Sequence, residues 1–257
     1  MFRARQIASK FLAREQSEGA GATVRRSIGS GKLRNLDPFL MLDEFNVGLP
    51  GGFPDHPHRG FETVTYVLPT SKGHMCHEDF LGNKGELRSG DLQWMTPGRG
   101  IMHAEMPASV EKAHGLQLWT EAPVTYIHFI LQAGASLEHT IPQGHNTFVY
   151  MLNGSGMCAG QEILAHEAIV LEKEGDGAHE AIVLERDGDG VHLEASANEG
   201  LEAIIMSGQP LKEPVVQYGP FVMTTHAEIR ETFEDFQLSK NGFEHARDWA
   251  SDIGNRR

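Results

Sequence analysis

Potential metal ligands occur in two pairs in this sequence, and each pair has a two-residue spacing. His56 and His58 form the first pair, and His103 and Glu105 form the second. Along a β-strand, residues i and i+2 point to the same face, so each pair can present both side chains to one point. If the pairs lie on neighbouring strands of one barrel, four ligands converge inside it. Imidazole and carboxylate together suit a borderline divalent ion such as iron, with copper, nickel, zinc and manganese as alternatives.

The sequence around these pairs is typical of short β-strands joined by turns. Segments rich in β-branched and aromatic residues recur between residues 39 and 206, and glycine, asparagine or proline separates many of them. Gly98 and Gly100 let the backbone turn tightly before His103. This pattern predicts an all-β fold, with antiparallel strands in a barrel or sandwich of the jelly-roll kind.

The chain is long enough to form two barrels. With 257 residues it can hold one large or two ordinary domains. Strand-like segments after residue 121 contain no His-x-His pair. We therefore predict a metal-binding N-terminal barrel over residues 1–120. The C-terminal barrel, residues 121–257, is predicted to have a packed interior without a metal.

The period of the sequence changes near the C-terminal end. Ile229, Phe233 and Phe236 recur at helical spacing, Thr225 is a suitable N-cap, and Gly242 is a suitable stop. This segment predicts a C-terminal helix that lies on a barrel.

Charge and cysteine content limit the function classes. The net charge of −13 argues against general nucleic-acid binding, because phosphate contacts need a basic surface. The presence of only two cysteines, Cys76 and Cys158, argues against a disulfide framework and indicates a reducing compartment. No apolar run is long enough to cross a bilayer. We expect a monomer without membrane partners.

A tandem duplication lies in the predicted second barrel. Residues 166–178 (HEAIVLEKEGDGA) are followed directly by residues 179–191 (HEAIVLERDGDGV), and each copy is a strand plus a turn. Two copies do not form a solenoid, which needs three or more repeats. We expect one copy to form an extra hairpin or loop.

Three segments of the chain have a specific sequence: residues 53–62 (FPDHPHRGFE), 90–95 (GDLQWM) and 98–107 (GRGIMHAEMP). At these segments the chain closely resembles the pirin family, whose members are bicupins of the cupin superfamily. Shorter matches extend the resemblance over the N-terminal half and the end of the chain; they are residues 14–26 (REQSEGAGATVRR), 36–39 (LDPF), 219–223 (GPFVM) and 241–243 (NGF). Matches this long are far more specific than a lone His-x-His.

The resemblance implies one iron, Fe²⁺ or Fe³⁺, held by His56, His58, His103 and Glu105. It implies a protein of the nucleus and cytoplasm that acts as a redox-responsive coregulator of transcription factor complexes of the NF-kappa-B type. It also implies a quercetin 2,3-dioxygenase, which opens a flavonol ring with O₂ and releases carbon monoxide. The two roles do not exclude each other, so enzymatic activity is left open, and no catalytic residue beyond the ligands is identified.

Two departures from the family pattern affect the second barrel. Members of the family carry a longer segment between the equivalents of Trp119 and Ala122, and the duplication described above is the other difference. Both lie outside the metal-binding stretch. A third interpretation is therefore a truncated, inactive pirin product whose second barrel is incomplete.

Other ligand-type residues receive different interpretations. Glu62 falls where many other cupins have a metal ligand, and we interpret it as a partner that orients a histidine or bonds nearby backbone. A rival group occupies one predicted strand: His74, Cys76, His77, Glu78 and Asp79. Its side chains alternate between two faces, so they cannot all converge. We interpret this strand as solvated or as a support for the main ligands.

Overall fold

The computed structural model of the chain describes residues 2–171 and 188–254. They form twenty β-strands and one α-helix, α1 (His226–Gln237), which confirms the predicted all-β fold with a C-terminal helix. The strands are β1 (Ile7–Leu12), β2 (Arg14–Glu18), β3 (Ala22–Arg26), β4 (Phe39–Val47), β5 (Phe53–His58), β6 (Glu62–Val67), β7 (Met75–Asp79), β8 (Lys84–Leu87), β9 (Leu92–Met95), β10 (Ile101–Pro107), β11 (Ala113–Thr120), β12 (Thr125–Leu131), β13 (Ser136–Thr140), β14 (Asn146–Cys158), β15 (Gln161–Leu164), β16 (Glu167–Leu171), β17 (Gly190–Ala195), β18 (Leu201–Gly208), β19 (Val216–Tyr218) and β20 (Phe221–Met223).

The chain divides into two compact units, and each is built from segments that are distant in sequence. Unit 1 comprises Met1–Ala13, Leu36–Pro38 and Ala122–Leu211. Unit 2 comprises Arg14–Asn35, Phe39–Glu121 and Lys212–Arg257. The domain bounds predicted from sequence, 1–120 and 121–257, stay a prediction. The compact units assign both chain ends differently from those bounds.

Two sheets form the body of unit 2. One has six strands in the order β2-β3-β4-β11-β6-β9, and the other has four strands in the order β5-β10-β7-β8. The hydroxyl of Thr65 on β6 lies 2.6 Å from the carboxylate of Glu105 on β10, so the sheets face each other across the interior. Apolar side chains from both sheets form one cluster; they are Ala22, Val24, Phe45, Val47, Val67, Met75, Leu87 and Ala113.

Unit 1 has an apolar core surrounded by strands. Its longest strand, β14, pairs with β15, β16, β17 and β18, and the first strand of the chain, β1, pairs with β16. The core consists of Ile141, Val149, Met151, Cys158, Ile163, Ile169, Leu171, Val191, Leu193, Ala195, Leu201, Ala203 and Ile205. The continuous burial of these aliphatic side chains is a major stabilising contribution to this unit.

The duplicated segment lies partly outside the described residues. Strand β16 belongs to the first copy, and β17 begins at the end of the second copy. Residues 172–187 contain the rest of both copies, apart from the last few positions of the second. The predicted extra hairpin or loop therefore lies outside the described residues.

Helix α1 begins where the sequence predicts. Thr225 accepts a hydrogen bond from the backbone of Glu228, and the Glu228 side chain accepts one from the backbone of Thr225, which forms a capping box. Ile229 is buried, and its cluster includes the rings of Phe221 and Phe243. The described part of the chain contains no helix with the length and apolar character that a membrane span requires.

One buried arginine connects α1 to the end of β5. Arg59 follows that strand directly, and its Nη1 lies 2.9 Å from Oδ2 of Asp235 on the helix. The guanidinium also donates to the carbonyl of Asn241 at 2.7 Å and to the carbonyl of Arg99 at 2.5 Å. A buried cation needs this many partners because its desolvation is costly.

Two glycines allow close approach of the backbone at this junction. Gly60 has a φ of +92°, and a Cβ there would lie 1.7 Å from the carbonyl oxygen of Val222. Gly100 has a φ of +149°, and a Cβ would lie 2.7 Å from the ring of Phe243. These positions require glycine for both conformation and space. The tight turn predicted before His103 is confirmed.

Replacing Asp235 by asparagine is expected to destabilise unit 2 by about 3 kcal/mol, because the charge of Arg59 would stay buried without its counter-ion. Burial alone would raise the pKa of Asp235, but hydrogen bonds from Arg59 and Asn241 and the charge of Arg59 bring it below its ordinary value. The measurement is urea denaturation followed by tryptophan fluorescence. All three tryptophans lie in unit 2.

The matched control is Glu234→Gln, which removes an exposed carboxylate from the preceding helix position. It should change the free energy of unfolding by less than about 1 kcal/mol. Because the folded-state pKa of Asp235 is lowered, its stabilisation is present at neutral pH and is lost as the pH falls below about 4. The difference between Asp235→Asn and the parent should therefore shrink in acid. Equal stability of the two variants at pH 7 would contradict the role of this ion pair.

Candidate metal centre

Three of the four predicted ligands come together between β5 and β10. These strands are antiparallel, and His103 lies directly opposite His56. His58 is two residues after His56, so its side chain points to the same face of the sheet. One ring nitrogen from each histidine lies within 4.8 Å of the other two. The structure thus brings three imidazoles to one point. That they bind a metal stays a prediction.

The positions of the rings fit a metal ion. Nε2 of His56 and Nε2 of His103 are 2.9 Å apart. Two nitrogens in adjacent positions of an octahedral site, each about 2.1 Å from the metal, would be about 3.0 Å apart. A shared proton also accounts for this distance, since one neutral ring can donate to the other. Nδ1 of His58 is buried and, within the described chain, has no hydrogen-bond partner.

Burial keeps these histidines neutral. It lowers the pKa of His56, and it holds the pKa of His58 and of His103 well below the ordinary value, with repulsion between the rings as a further cause. A neutral imidazole is the form that ligates a metal, and a proton must otherwise leave before the metal binds. The three rings are therefore in the metal-binding protonation state at neutral pH.

Glu105, the fourth predicted ligand, is not part of the three-histidine group. It is buried on β10, and its Oε1 lies 2.6 Å from Oγ1 of Thr65. The register against β5 shifts between His103 and Glu105, and Glu105 pairs with Phe53. Burial raises the pKa of Glu105, and the hydrogen bond with Thr65 lowers it in part. A metal bond from this carboxylate stays a prediction.

Thr65 links Glu105 to a second polar group. Its Oγ1 also lies 2.8 Å from Oε1 of Gln117, yet a hydroxyl has one proton to donate. Either Glu105 is protonated and donates to Thr65, or the Gln117 amide is turned so that its nitrogen donates. Sequence reasoning missed Thr65 and Gln117. They are cross-strand partners on β6 and β11, which no local motif reveals.

A cavity of about 840 Å³ opens onto this group within unit 2. His56, His58 and Glu105 line it, together with Gln117 and Trp119. Its volume lies within the range of small-molecule sites, about 300–1,000 Å³. The candidate centre is therefore accessible to an organic molecule.

The cavity wall also contains a charged group. Arg26, at the end of β3, makes two hydrogen bonds to the carboxylate of Asp43, at 2.9 and 2.6 Å, and one to Glu18 at 2.6 Å. Burial alone would lower the pKa of Arg26, but these two carboxylates raise it. Burial raises the pKa of Asp43, with Arg26 opposing that effect. Arg26, Asp43 and Glu18 thus give the cavity wall hydrogen-bonding groups in fixed positions.

Aromatic rings pack against one of the histidines. The ring of Trp119 lies 5.2 Å from that of His58 and 4.5 Å from that of Phe61, measured between centroids. Phe61 is also 5.1 Å from His58. Such contacts restrict the rotation of the imidazole, and Trp119 presents an apolar surface to the cavity.

The structure corrects the interpretation of Glu62. Its carboxylate accepts hydrogen bonds from the indole of Trp94 at 2.5 Å and from the hydroxyl of Thr96 at 3.1 Å. Neither partner is a histidine or a backbone group. Glu62 lies at the first position of β6, next to the edge strand β9, where these side chains are the nearest donors.

The rival strand β7 divides its side chains as its alternation predicts. His77 lies opposite Glu105, and Asp79 lies opposite His103, so both point to the interior face. Cys76 and Glu78 point to the other face. Nδ1 of His77 lies 3.1 Å from the amide nitrogen of Gln93. The five ligand-type side chains between residues 74 and 79 therefore do not form a single cluster.

Comparisons with known proteins identify the relatives of this chain. Residues 21–120 match the pirin family, and residues 126–242 match the pirin C-terminal cupin domain. Pirin of Mus musculus is 43% identical over 306 residues, which covers 99% of this chain and 100% of the relative. A pirin-like protein of Solanum lycopersicum is 42% identical, with 97% of each chain covered. The aligned length with mouse pirin exceeds the 257 residues of this chain, so that relative contains segments without a counterpart here.

A solved structure supports the same relationship. The crystal structure of a quercetin 2,3-dioxygenase from Acinetobacter baumannii matches with a TM-score of 0.77 and 25% identity, covering 93% of this chain and 99% of that chain. Together with the two matched domains, this likeness confirms the predicted bicupin fold. The chain belongs to the pirin family.

Proposed function

We propose that this chain is an iron-dependent dioxygenase that opens the ring of a flavonol such as quercetin with O₂ and releases carbon monoxide. The observation that carries the proposal is the cavity of about 840 Å³ that reaches His56, His58 and Glu105. The likeness to a quercetin 2,3-dioxygenase structure supports the substrate class. The proposal assigns iron to His56, His58 and His103, with Glu105 as the fourth ligand.

The residues of the chain have distinct roles in this proposal. Bound iron would increase the acidity of the flavonol hydroxyl and provide the redox chemistry for O₂. Trp119, which lines the cavity and packs against Phe61, would contact the aromatic rings of the substrate. Thr65 and Gln117 would hold Glu105 in place through their hydrogen bonds. The apolar side of the cavity would limit the access of water.

The charged group in the cavity wall, Arg26 with Asp43 and Glu18, would orient the substrate through hydrogen bonds. Arg26 is fixed by Asp43 and Glu18, so its position does not depend on the ligand. Phenolic hydroxyls at the far end of a flavonol can donate to carboxylate oxygens in this group. Preorganised polar groups of this kind provide orientation at low entropic cost.

Iron content tests the ligand assignment. The purified chain, loaded anaerobically with Fe²⁺, is expected to bind about one iron per chain at the three-histidine group, and His103→Ala should lose it. His226→Ala is the matched control, because His226 is exposed at the start of α1. Metal analysis after desalting gives the readout. Equal iron content in both variants would contradict the assignment.

Oxygen consumption with quercetin tests the activity. The iron-loaded chain should consume O₂ and release carbon monoxide, whereas His58→Ala should show only background turnover, because it loses a ligand and the contact with Trp119. An oxygen electrode and carbon monoxide detection give the two readouts. Turnover of the loaded parent no faster than that of His58→Ala would reject the dioxygenase proposal and leave a binding role.

We propose a second role for the same site, as a coregulator of NF-kappa-B-type transcription factor complexes in the nucleus and cytoplasm. It is favoured by the deep burial of His58 and His103. A change from Fe²⁺ to Fe³⁺ would add a charge to a site of low dielectric constant, and loops around it could respond. A binding assay with a Rel-type domain should give different affinities for the two loaded forms. Equal affinities would reject this role.

The third interpretation, an inactive truncated product, makes a different prediction about folding. A chain with an incomplete second barrel would lack a cooperative thermal transition. Our proposal requires cooperative unfolding of the purified protein, measured by circular dichroism and by tryptophan fluorescence. A broad, non-cooperative loss of structure would favour the inactive product.

A further inference from the structure

A second group of metal-ligand side chains lies on the opposite face of the four-stranded sheet. In the β7–β10 pair, Cys76 is opposite Met106, whereas His77 is opposite Glu105. Residues directly opposite each other share a face, so Cys76 points away from the candidate metal centre. On its other side, Cys76 is opposite Glu86 of β8.

His74 joins this pair because it precedes Cys76 by two residues. One ligand atom from each of His74, Cys76 and Glu86 lies within 4.8 Å of the other two. Nε2 of His74 is 3.9 Å from Oε2 of Glu86. The thiol is nearly buried, while the imidazole and the carboxylate are 27% and 51% exposed. A cation could therefore enter from the solvent side.

The chemistry of the three groups favours zinc. Thiolate, imidazole and carboxylate are all ligands that Zn²⁺ accepts, and a thiolate disfavours Mg²⁺ and Ca²⁺. Bond lengths of about 2.0–2.3 Å would require these atoms to approach one another by about 1 Å. The exposed Glu86 side chain is free to make most of this movement.

An arginine near the site does not block it. Arg88 forms an ion pair with Oε2 of Glu86, and its own side chain is 65% exposed. An exposed ion pair contributes little to stability, much less than a metal–ligand bond. The carboxylate also has a second oxygen for a metal.

We propose that His74, Cys76 and Glu86 form a second metal site that binds Zn²⁺, with water as the fourth ligand. This site is distinct from the three-histidine group, since it uses the outer face of the sheet. It contains a sulfur ligand, which the three-histidine group lacks. That difference allows the two sites to be observed separately in one protein.

Cobalt substitution tests the proposal. Co²⁺ added to the full-length chain should produce a near-ultraviolet thiolate-to-metal charge-transfer band, and Zn²⁺ should abolish it by displacement. Cys76→Ser should lose the band. Cys158→Ser, which changes the other cysteine, buried in unit 1, should keep it. A parent protein without the band, or a band that persists in Cys76→Ser, would overturn the proposal.

A second variant covers the case in which Cys76→Ser fails to fold, which tryptophan fluorescence would detect. Glu86→Gln changes an exposed side chain and should retain the fold. The measurement is made in the His103→Ala background, so that the three-histidine group does not compete for Zn²⁺. There Glu86→Gln should weaken Zn²⁺ binding, measured by competition with a chelating dye, by more than about tenfold, since even changes behind a metal ligand cost this much. Unchanged affinity in Glu86→Gln would also overturn the proposal.

Discussion

The antiparallel pairing of β5 with β10 is the contact on which the candidate centre depends. It places His56 directly opposite His103 and directs both rings to the interior. Because side chains alternate with a period of two, a slip of one residue would turn every ligand to the other face of the sheet. The register shift beyond His103 is confined to the end where Glu105 pairs with Phe53. The histidine positions are thus independent of the irregularity that follows them.

Two further constraints keep these strands in place. Arg59, the residue after His58, binds Asp235 on α1. The carbonyl of Arg99, in the turn before β10, accepts a hydrogen bond from the same guanidinium. The burial that makes this network necessary also keeps the histidines neutral. Polar groups in a low-dielectric interior must find partners or lose their charge. Arg59 keeps its charge because it has hydrogen-bonding partners, whereas the three imidazoles are neutral.

Local patterns in the sequence were sufficient for much of the fold. Alternation and turn residues predicted the all-β class, and helical spacing with a capping threonine predicted α1. The meeting of His56, His58 and His103 followed from strand periodicity together with one assumption about which strands are neighbours. Thr65, Gln117 and Asp235 could not be predicted in the same way, because each acts through a partner at least forty positions away. The prediction for Glu62 was wrong for the same reason, because its hydrogen-bond partners depend on the pairing of β6 with β9.

The segmented construction of unit 2 has a consequence for how the protein is made. The three clustered histidines lie in Phe39–Glu121, but the partner of Arg59 lies in Lys212–Arg257, with most of unit 1 between them in the sequence. A ribosome therefore releases all three histidines well before the aspartate that neutralises the adjacent guanidinium. Folding from the N-terminus, one domain at a time, is not available to this unit. The buried ion pair between Arg59 and Asp235 can consequently form only after the C-terminal segment has been made.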